Sequence, residues 1–413
     1  MSLLSRLPSV NLSRSLRASI AMSVVAATPA FSEDWPTLRG PQHNGISSEA
    51  ALPTDAEFPV AWKAKVGLGH SAVVVADGRA FTMGHDGADT DTVWCFDATT
   101  GDVLWKHSYE HPLDDLYFPG GTTGTPTVDG GHLFSVARRG QLFCFDAATG
   151  EVKWQKHLTE DLGCRMPDWG FTGAPLVSGD TLLLNAGEAG VALKKSDGSV
   201  IWKSDVGEEA GYSTPELFEK AGKTWAFFSS KDGYFCVDPA TGEQAWFYKH
   251  KTRYGVNATE PIVMGDRIFL STGYDKGSAL LSWNGTGEPE VVWRSRDYQN
   301  QMNTSLLIDG LIYGINGNEG KDGTGLVCVK PESGEILWND RSIGHGAITA
   351  AGDQLIVLSE KGELSVGPAS RDGFSPATRQ QVLTPKCWTV PVLANGLLYC
   401  RNDKGDVVAL KVR

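Results

Sequence analysis

Asp146 to Trp154 read DAATGEVKW, and Asp97 to Trp105 read DATTGDVLW, with six of the nine letters unchanged. Further versions end at Trp202 (KSDGSVIW), Trp246 (DPATGEQAW), Trp293 (NGTGEPEVVW) and Trp338 (PESGEILW), and Trp62 in FPVAWKAKVG leads the series. Successive tryptophans stand 43, 49, 48, 44, 47 and 45 residues apart. A catalytic motif is normally needed once, whereas a phrase that keeps returning at such intervals marks a repeated supersecondary unit. The motif is read as a part of the fold, not as a place where chemistry happens.

One unit parses letter by letter. TGTPTV is a short strand, DGG a turn, HLFSVA a strand, RRG a turn, QLFCFD a strand, AATG a turn and EVKWQKHL a strand. The apolar runs are short, rich in Val, Phe and Leu, and broken by Gly and Asp, with no helical period. In DAATG the aspartate can accept backbone N–H bonds across the turn, and Gly150 supplies the positive φ that closes the hairpin. Trp154 then offers a large ring to the neighbouring sheet. A ring of such four-stranded sheets buries each face against the next and leaves only short edges.

Units are expected at 70–109, 122–158, 170–205, 211–251, 257–296, 303–340 and 346–383. The stretch from Cys387 to Arg413 supplies three more strands, and Phe58 to Lys65 one orphan strand carrying Trp62. Joined, they make an eighth blade. The expected architecture is all-β: one eight-bladed propeller of four-stranded antiparallel blades over 58–413, closed by the strand at 58–65, with an arm at 33–57.

A formal charge of −12 and a pI near 5.3 are the opposite of a nucleic-acid footprint. The first 32 residues carry Arg6, Arg14 and Arg17 and no acid, followed by the apolar ASIAMSVVAA and the small residues of AFS before Glu33. This pattern reads as a secretory signal, too short to span a bilayer. No later segment reaches membrane-spanning length, and no cysteine near the cleavage point could take a lipid anchor. A periplasmic or secreted monomer is expected. Of the seven cysteines, Cys95, Cys144, Cys236 and Cys328 share one register in different blades and read as small buried hydrophobes. Cys164, Cys387 and Cys400 fall outside it, and a disulfide among them stays open.

The hairpins at 97–105, 146–154 and 238–246, the opening DWPTLRGPQHNGIS and the closing CWTVPVLANGLLYCRN resemble the pyrroloquinoline-quinone-like (PQQ-like) propeller repeat proteins of bacteria. That family includes quinoprotein alcohol dehydrogenases, an outer-membrane assembly lipoprotein and exported members of unknown role. The resemblance implies the fold, and for the enzymes a quinone stacked between a tryptophan and a disulfide of adjacent cysteines, with calcium beside it. This chain has no adjacent cysteines and no C-x-x-C-H for a c-type haem. The even spacing also leaves no insertion for a lid that excludes water. No cofactor is expected; PQQ with calcium is the alternative, in a quinoprotein alcohol or sugar dehydrogenase. A carbohydrate-binding or carbohydrate-processing propeller is a third reading.

Other catalytic signatures are missing: no G-x-S-x-G, H-E-x-x-H or phosphate loop occurs. Asp86, Asp89 and Asp91 in HDGADTDT are weak candidates for calcium, against the reading as a solvated acidic turn. The stronger candidates are positional. Loops entering the first strand of each blade share a face with the loops between second and third strands. They place His70, Thr123, Trp169, Tyr212, Asn257, Asn303, His345 and Trp388 around one channel mouth, with Arg165, Asp168, Arg253 and Tyr254 nearby. Aromatic surface mixed with amides and imidazoles suits a small polar ligand or a protein partner, so an exported, non-catalytic binding propeller or envelope scaffold is expected. Cleavage is predicted after Ser32, which takes the charge of −12 to −15 by removal of three arginines. Intact mass of the exported chain should begin at Glu33; a form that retains Met1 would remove the extracytoplasmic reading.

Overall fold

In the computed structural model, which describes residues 33–53, 57–115 and 118–413, each repeat folds as the turn chemistry dictates. The signal segment 1–32 lies outside the described residues. Asp97 Oδ1 accepts the N–H groups of Thr99 (2.9 Å) and Thr100 (2.8 Å), and Gly101 follows at φ 77°. Asp146 does the same for Ala148 and Thr149 ahead of Gly150 at φ 75°. The tight turn leaves the returning strand one residue out of step, so the pairing register slips between Cys95 and Phe96 and again between Val152 and Trp154. This bulge re-aims the tryptophan out of its own sheet.

The ring then lands on the next blade's turn. Trp62, Trp105, Trp154 and Trp202 donate their indole N–H to the carbonyls of Ala98 (2.9 Å), Ala147 (3.0 Å), Lys195 (2.9 Å) and Pro239 (2.8 Å). Trp293 and Trp338 reach Pro331 (2.9 Å) and Ser370 (3.0 Å) in the same way. The turn glycine is therefore constrained twice. It holds a positive φ, and a Cβ at Gly101 or Gly150 would stand 2.6 Å from the ring of Trp62 or Trp105.

Eight sheets result, every element among the described residues being a strand. The last sheet joins Val392–Ala394, Leu397–Arg401 and Asp406–Lys411 to Val60–Lys65, so the N-terminal strand closes the ring, antiparallel to the C-terminal one. Trp62 is buried against Phe96 and Tyr399, which sit on either side of that closure. Arg401 sews the same seam. It is fully enclosed and donates to Ser71 O (2.6 Å), Met83 O (2.6 Å) and Thr82 Oγ1 (2.7 Å) of the first blade. Burial lowers this guanidinium to about 9.

The arm is more than a leader. Ile46–Ser47 adds a fifth, parallel strand to the seventh blade beside Gly346–Ala351. Upstream, Trp35 bridges Val75, Pro36 O accepts from Val128 N (2.9 Å), and Asp34 holds Asp77 and Asn395. The arm thus runs across the end of the ring where the first strands finish. All seven cysteines are buried and free, in blade cores, and burial pushes Cys95, Cys144 and Cys387 up to about 12. Among the described residues no helix is long and apolar enough to cross a membrane.

One tryptophan breaks the pattern. Trp246 is fully buried, but its Nε1 has no acceptor, because the fifth blade carries Trp283 at the turn. Trp283 packs edge-on against Trp246 (5.7 Å between centroids) and gives its own N–H to Gly287 O (2.8 Å). Trp202→Phe should strand the Pro239 carbonyl and lower stability about 1–3 kcal/mol more than the equal-volume change Trp246→Phe, which removes a donor already unpaired. Reversible denaturant unfolding of the two variants checks this; equal losses would mean that the indole bond contributes nothing.

Candidate functional site

First strands crowd the axis, and most are only three residues long: Val74–Ala76, Thr127–Asp129, Leu176–Ser178 and Ile262–Met264 are examples. Threonines near their starts stitch one blade to the next. The Oγ1 atoms of Thr125, Thr214 and Thr304 accept the N–H groups of Ala72 (3.0 Å), Ala174 (3.1 Å) and Glu260 (2.9 Å). What remains inside is a cavity of about 400 Å3.

Its mouth is aromatic. His70, Phe118, Trp169, Tyr212, Tyr274 and Trp388 line it, with Thr123, Gln301, Asn303 and Glu319 between them. His70 stacks on Trp388 (5.3 Å, 20°), and His345 meets the same indole edge-on (5.7 Å). Lys386 lies 4.7 Å above the Trp388 ring and pairs with Glu319. Trp169 stands edge-on to Tyr212, whose hydroxyl accepts the Trp169 backbone N–H at 3.4 Å. Burial lowers both His70 and His345 to about 4, so these imidazoles are neutral at physiological pH and the Lys386–Glu319 pair carries the local charge.

Its floor comes from the arm: Leu38, Arg39 and Gly45 line the opposite end. Arg39 is held by the carbonyls of His43 (3.0 Å) and Ser305 (3.3 Å). Beside it, the buried Glu260 accepts from Thr214 N (3.0 Å) and the Thr304 hydroxyl. Burial raises the Glu216 carboxyl to about 8, against the opposing pull of Arg39. The channel therefore has an aromatic rim, with Arg39 and Glu260 in the lining of its base.

The positional candidates divide into three groups. His70, Thr123, Trp169, Tyr212, Asn303 and Trp388 line the cavity together. His345 and Asn257 are buried outside that lining, the first against Trp388 and the second bonded to Ser230 O (2.8 Å). Arg165, Asp168, Arg253 and Tyr254 are exposed. Arg165 pairs with Glu209 (2.6 Å), and Arg253 covers Tyr254, which in turn touches Tyr274 of the lining. The acidic loop does not converge on a point. Asp86 closes its own turn on the N–H groups of Ala88, Asp89 and Thr90, and Asp89 takes the Thr90 hydroxyl. Asp91 turns inward and is buried.

Sequence reasoning missed Phe118, Tyr274, Gln301, Glu319 and Lys386 at the rim, and Arg39 and Glu260 at the base. Tyr274 and Glu319 sit in loops between second and third strands, the very loops placed on the mouth face, and a residue-by-residue reading of those loops would have found them. Arg39 had no such signal.

Comparisons with known proteins fit this geometry. The family model described as outer membrane protein assembly factor BamB matches residues 89–340. A quinoprotein ethanol dehydrogenase of Pseudomonas aeruginosa is 28% identical over 223 residues, which is 45% of this chain and 35% of that one. Its counterpart in Pseudomonas putida is 27% identical over the same shares. The chain thus spans about a third of the length of these curated relatives. Among solved structures, BamB from Moraxella catarrhalis shares the fold at 15% identity and TM-score 0.62, covering 86% of this chain and all (100%) of that one. A europium-containing methanol dehydrogenase does so at 14% identity and TM-score 0.67, over 92% of this chain and 89% of that one. With more than half of its length matched by the family model, the chain belongs to the family of PQQ-like repeat propellers that carries the BamB description.

Proposed function

We propose that the chain is an exported, non-catalytic binding propeller that receives a small polar ligand, or a projecting side chain of a protein partner, at the mouth of its channel. The observation that carries this reading is the cavity itself, whose five aromatic side chains ring one end while Arg39 of the arm lines the other. A concave site with a largely apolar wall and a few fixed polar groups is what selective binding requires. The protein-partner form of the reading draws support from the family description as an assembly factor. Export rests on the signal pattern before Glu33.

The residues do not fit the quinone site that the enzyme branch implies. That site needs two adjacent cysteines, and here no two cysteines are adjacent in sequence and all are buried as free thiols. It needs an open indole face, and Trp388 is already stacked by His70 and approached by Lys386, while Trp169 is set edge-on to Tyr212. No step is therefore derived through a quinone or its calcium. The carbohydrate reading rests on the same aromatic side chains and on nothing further.

Tryptophan fluorescence titrated with free amino acids, short peptides, mono- and disaccharides, and PQQ with Ca2+ tests the proposal. A polar compound other than PQQ should give saturable quenching, and Trp169→Ala should weaken it by about 1 kcal/mol or more while the melting temperature moves little. Saturable PQQ binding accompanied by ethanol oxidation with an artificial electron acceptor would overturn it.

A further inference from the structure

A second cluster lies away from the channel lining, where the first blade meets the crossover to the second. His85 ends the strand Arg79–His85, and Asp91 in Thr90–Asp97 is its direct cross-strand partner. His111 follows the strand Val103–Glu110. One ligand-capable atom from each of the three lies within 4.8 Å of the others, and the side chains are 0%, 1% and 1% exposed.

The proton positions follow from the hydrogen bonds. His85 Nδ1 accepts the Gly87 N–H (2.9 Å), so its Nε2 carries the hydrogen that reaches His111 O (2.8 Å). His111 Nδ1 lies 2.6 Å from Pro112 O and must donate to it, which leaves Nε2 as a bare lone pair. That Nε2 has no partner. Asp91 Oδ2 takes a long bond from the Tyr109 hydroxyl (3.5 Å) and lies 3.7 Å from His111 Nδ1, and Asp91 Oδ1 has no partner either. Two buried acceptors of this group of three thus have no donor. Buried acceptors are nearly always satisfied, and a pair left without a donor calls for a cation or a proton.

We propose that His85, Asp91 and His111 form a buried site for one divalent transition ion of the zinc type. Two imidazoles and a carboxylate are a ligand set that such ions favour over calcium or magnesium. The bond from His111 Nδ1 to Pro112 O is the kind of outer contact that orients a ligating imidazole and turns its Nε2 to the metal. His85 joins through Nε2 in its other tautomer, with the hydrogen moved to Nδ1, so ion binding replaces both its bond to the His111 carbonyl and the one it accepts from Gly87 N–H. Nearby, the Asp114 carboxylate pairs with Arg139 at 2.6 Å, and Arg138, whose guanidinium covers Phe118, donates to the Asp114 backbone carbonyl.

The test uses the full chain without a histidine tag, stripped by chelator and titrated with Co2+ as a visible probe. Saturation of d–d absorbance at one ion per chain is expected, with bleaching by Zn2+ and a higher melting temperature in Zn2+. Asp91→Asn and His111→Gln should each weaken uptake at least tenfold, whereas Asp86→Asn and Asp89→Asn in the exposed part of the same loop should leave it unchanged. If Asp91→Asn fails to fold, the wild-type stoichiometry and His111→Gln decide the matter. No stoichiometric uptake by the folded wild-type chain would overturn the site, and would point to a shared proton instead. Uptake that survives His111→Gln would overturn it equally.

Discussion

The bond from an indole N–H in one blade to a turn carbonyl in the next is the interaction on which the remaining structure depends. A four-stranded sheet of this size cannot bury both faces alone, so its stability comes from neighbours. The tryptophan supplies area and direction together: the ring covers the turn glycine, and the N–H fixes where on the turn it sits. The aspartate and glycine of the turn exist to present that carbonyl and clear space for that ring. A β-bulge beside the tryptophan delivers it at the right angle. Six such bonds run around the ring, among them that of Trp62, by which the N-terminal strand returns to the first blade.

Everything functional follows from closing that ring. Once eight blades meet, their first strands enclose a channel whose diameter is set by blade number, and threonines stitched across the inner strands keep it from collapsing. The arm then lies across one end and contributes Arg39 to the lining, so the channel presents its aromatic rim at the other. Arg401 makes the closure specific. A buried guanidinium whose Nη1 donates to Ser71, Thr82 and Met83 can make those bonds only when the last blade meets the first.

Much of this was legible in the sequence, and the reason is periodicity. The repeat tryptophans gave blade number, strand order and closure, because each unit restates the same hairpin chemistry. The channel mouth was half legible. Trp169, Tyr212, Asn303, His70 and Trp388 fall where a loop enters the first strand, and that position alone predicts a channel-facing side chain. His345 and Asn257 occupy equivalent positions yet are buried, the first against Trp388 and the second on the Ser230 carbonyl, and such loop contacts have no period from which to read them. Arg39 and Glu260 were invisible for a different reason: the arm's path across the ring is set by single contacts such as Trp35 with Val75, which no repeat encodes. The acidic loop shows the same limit. Three aspartates within six residues look alike as letters, but strand pairing turns Asp91 inward beside His85 while Asp86 and Asp89 close an exposed turn.

A channel with an aromatic rim and Arg39 at its base is the feature on which the proposed binding role rests. Native mass spectrometry of the chain purified from its own source addresses this most directly. A binding propeller predicts a retained polar ligand or a bound protein partner that is lost when Trp169 and Trp388 are replaced by alanine. Stoichiometric PQQ with calcium, retained through the same purification, would contradict it.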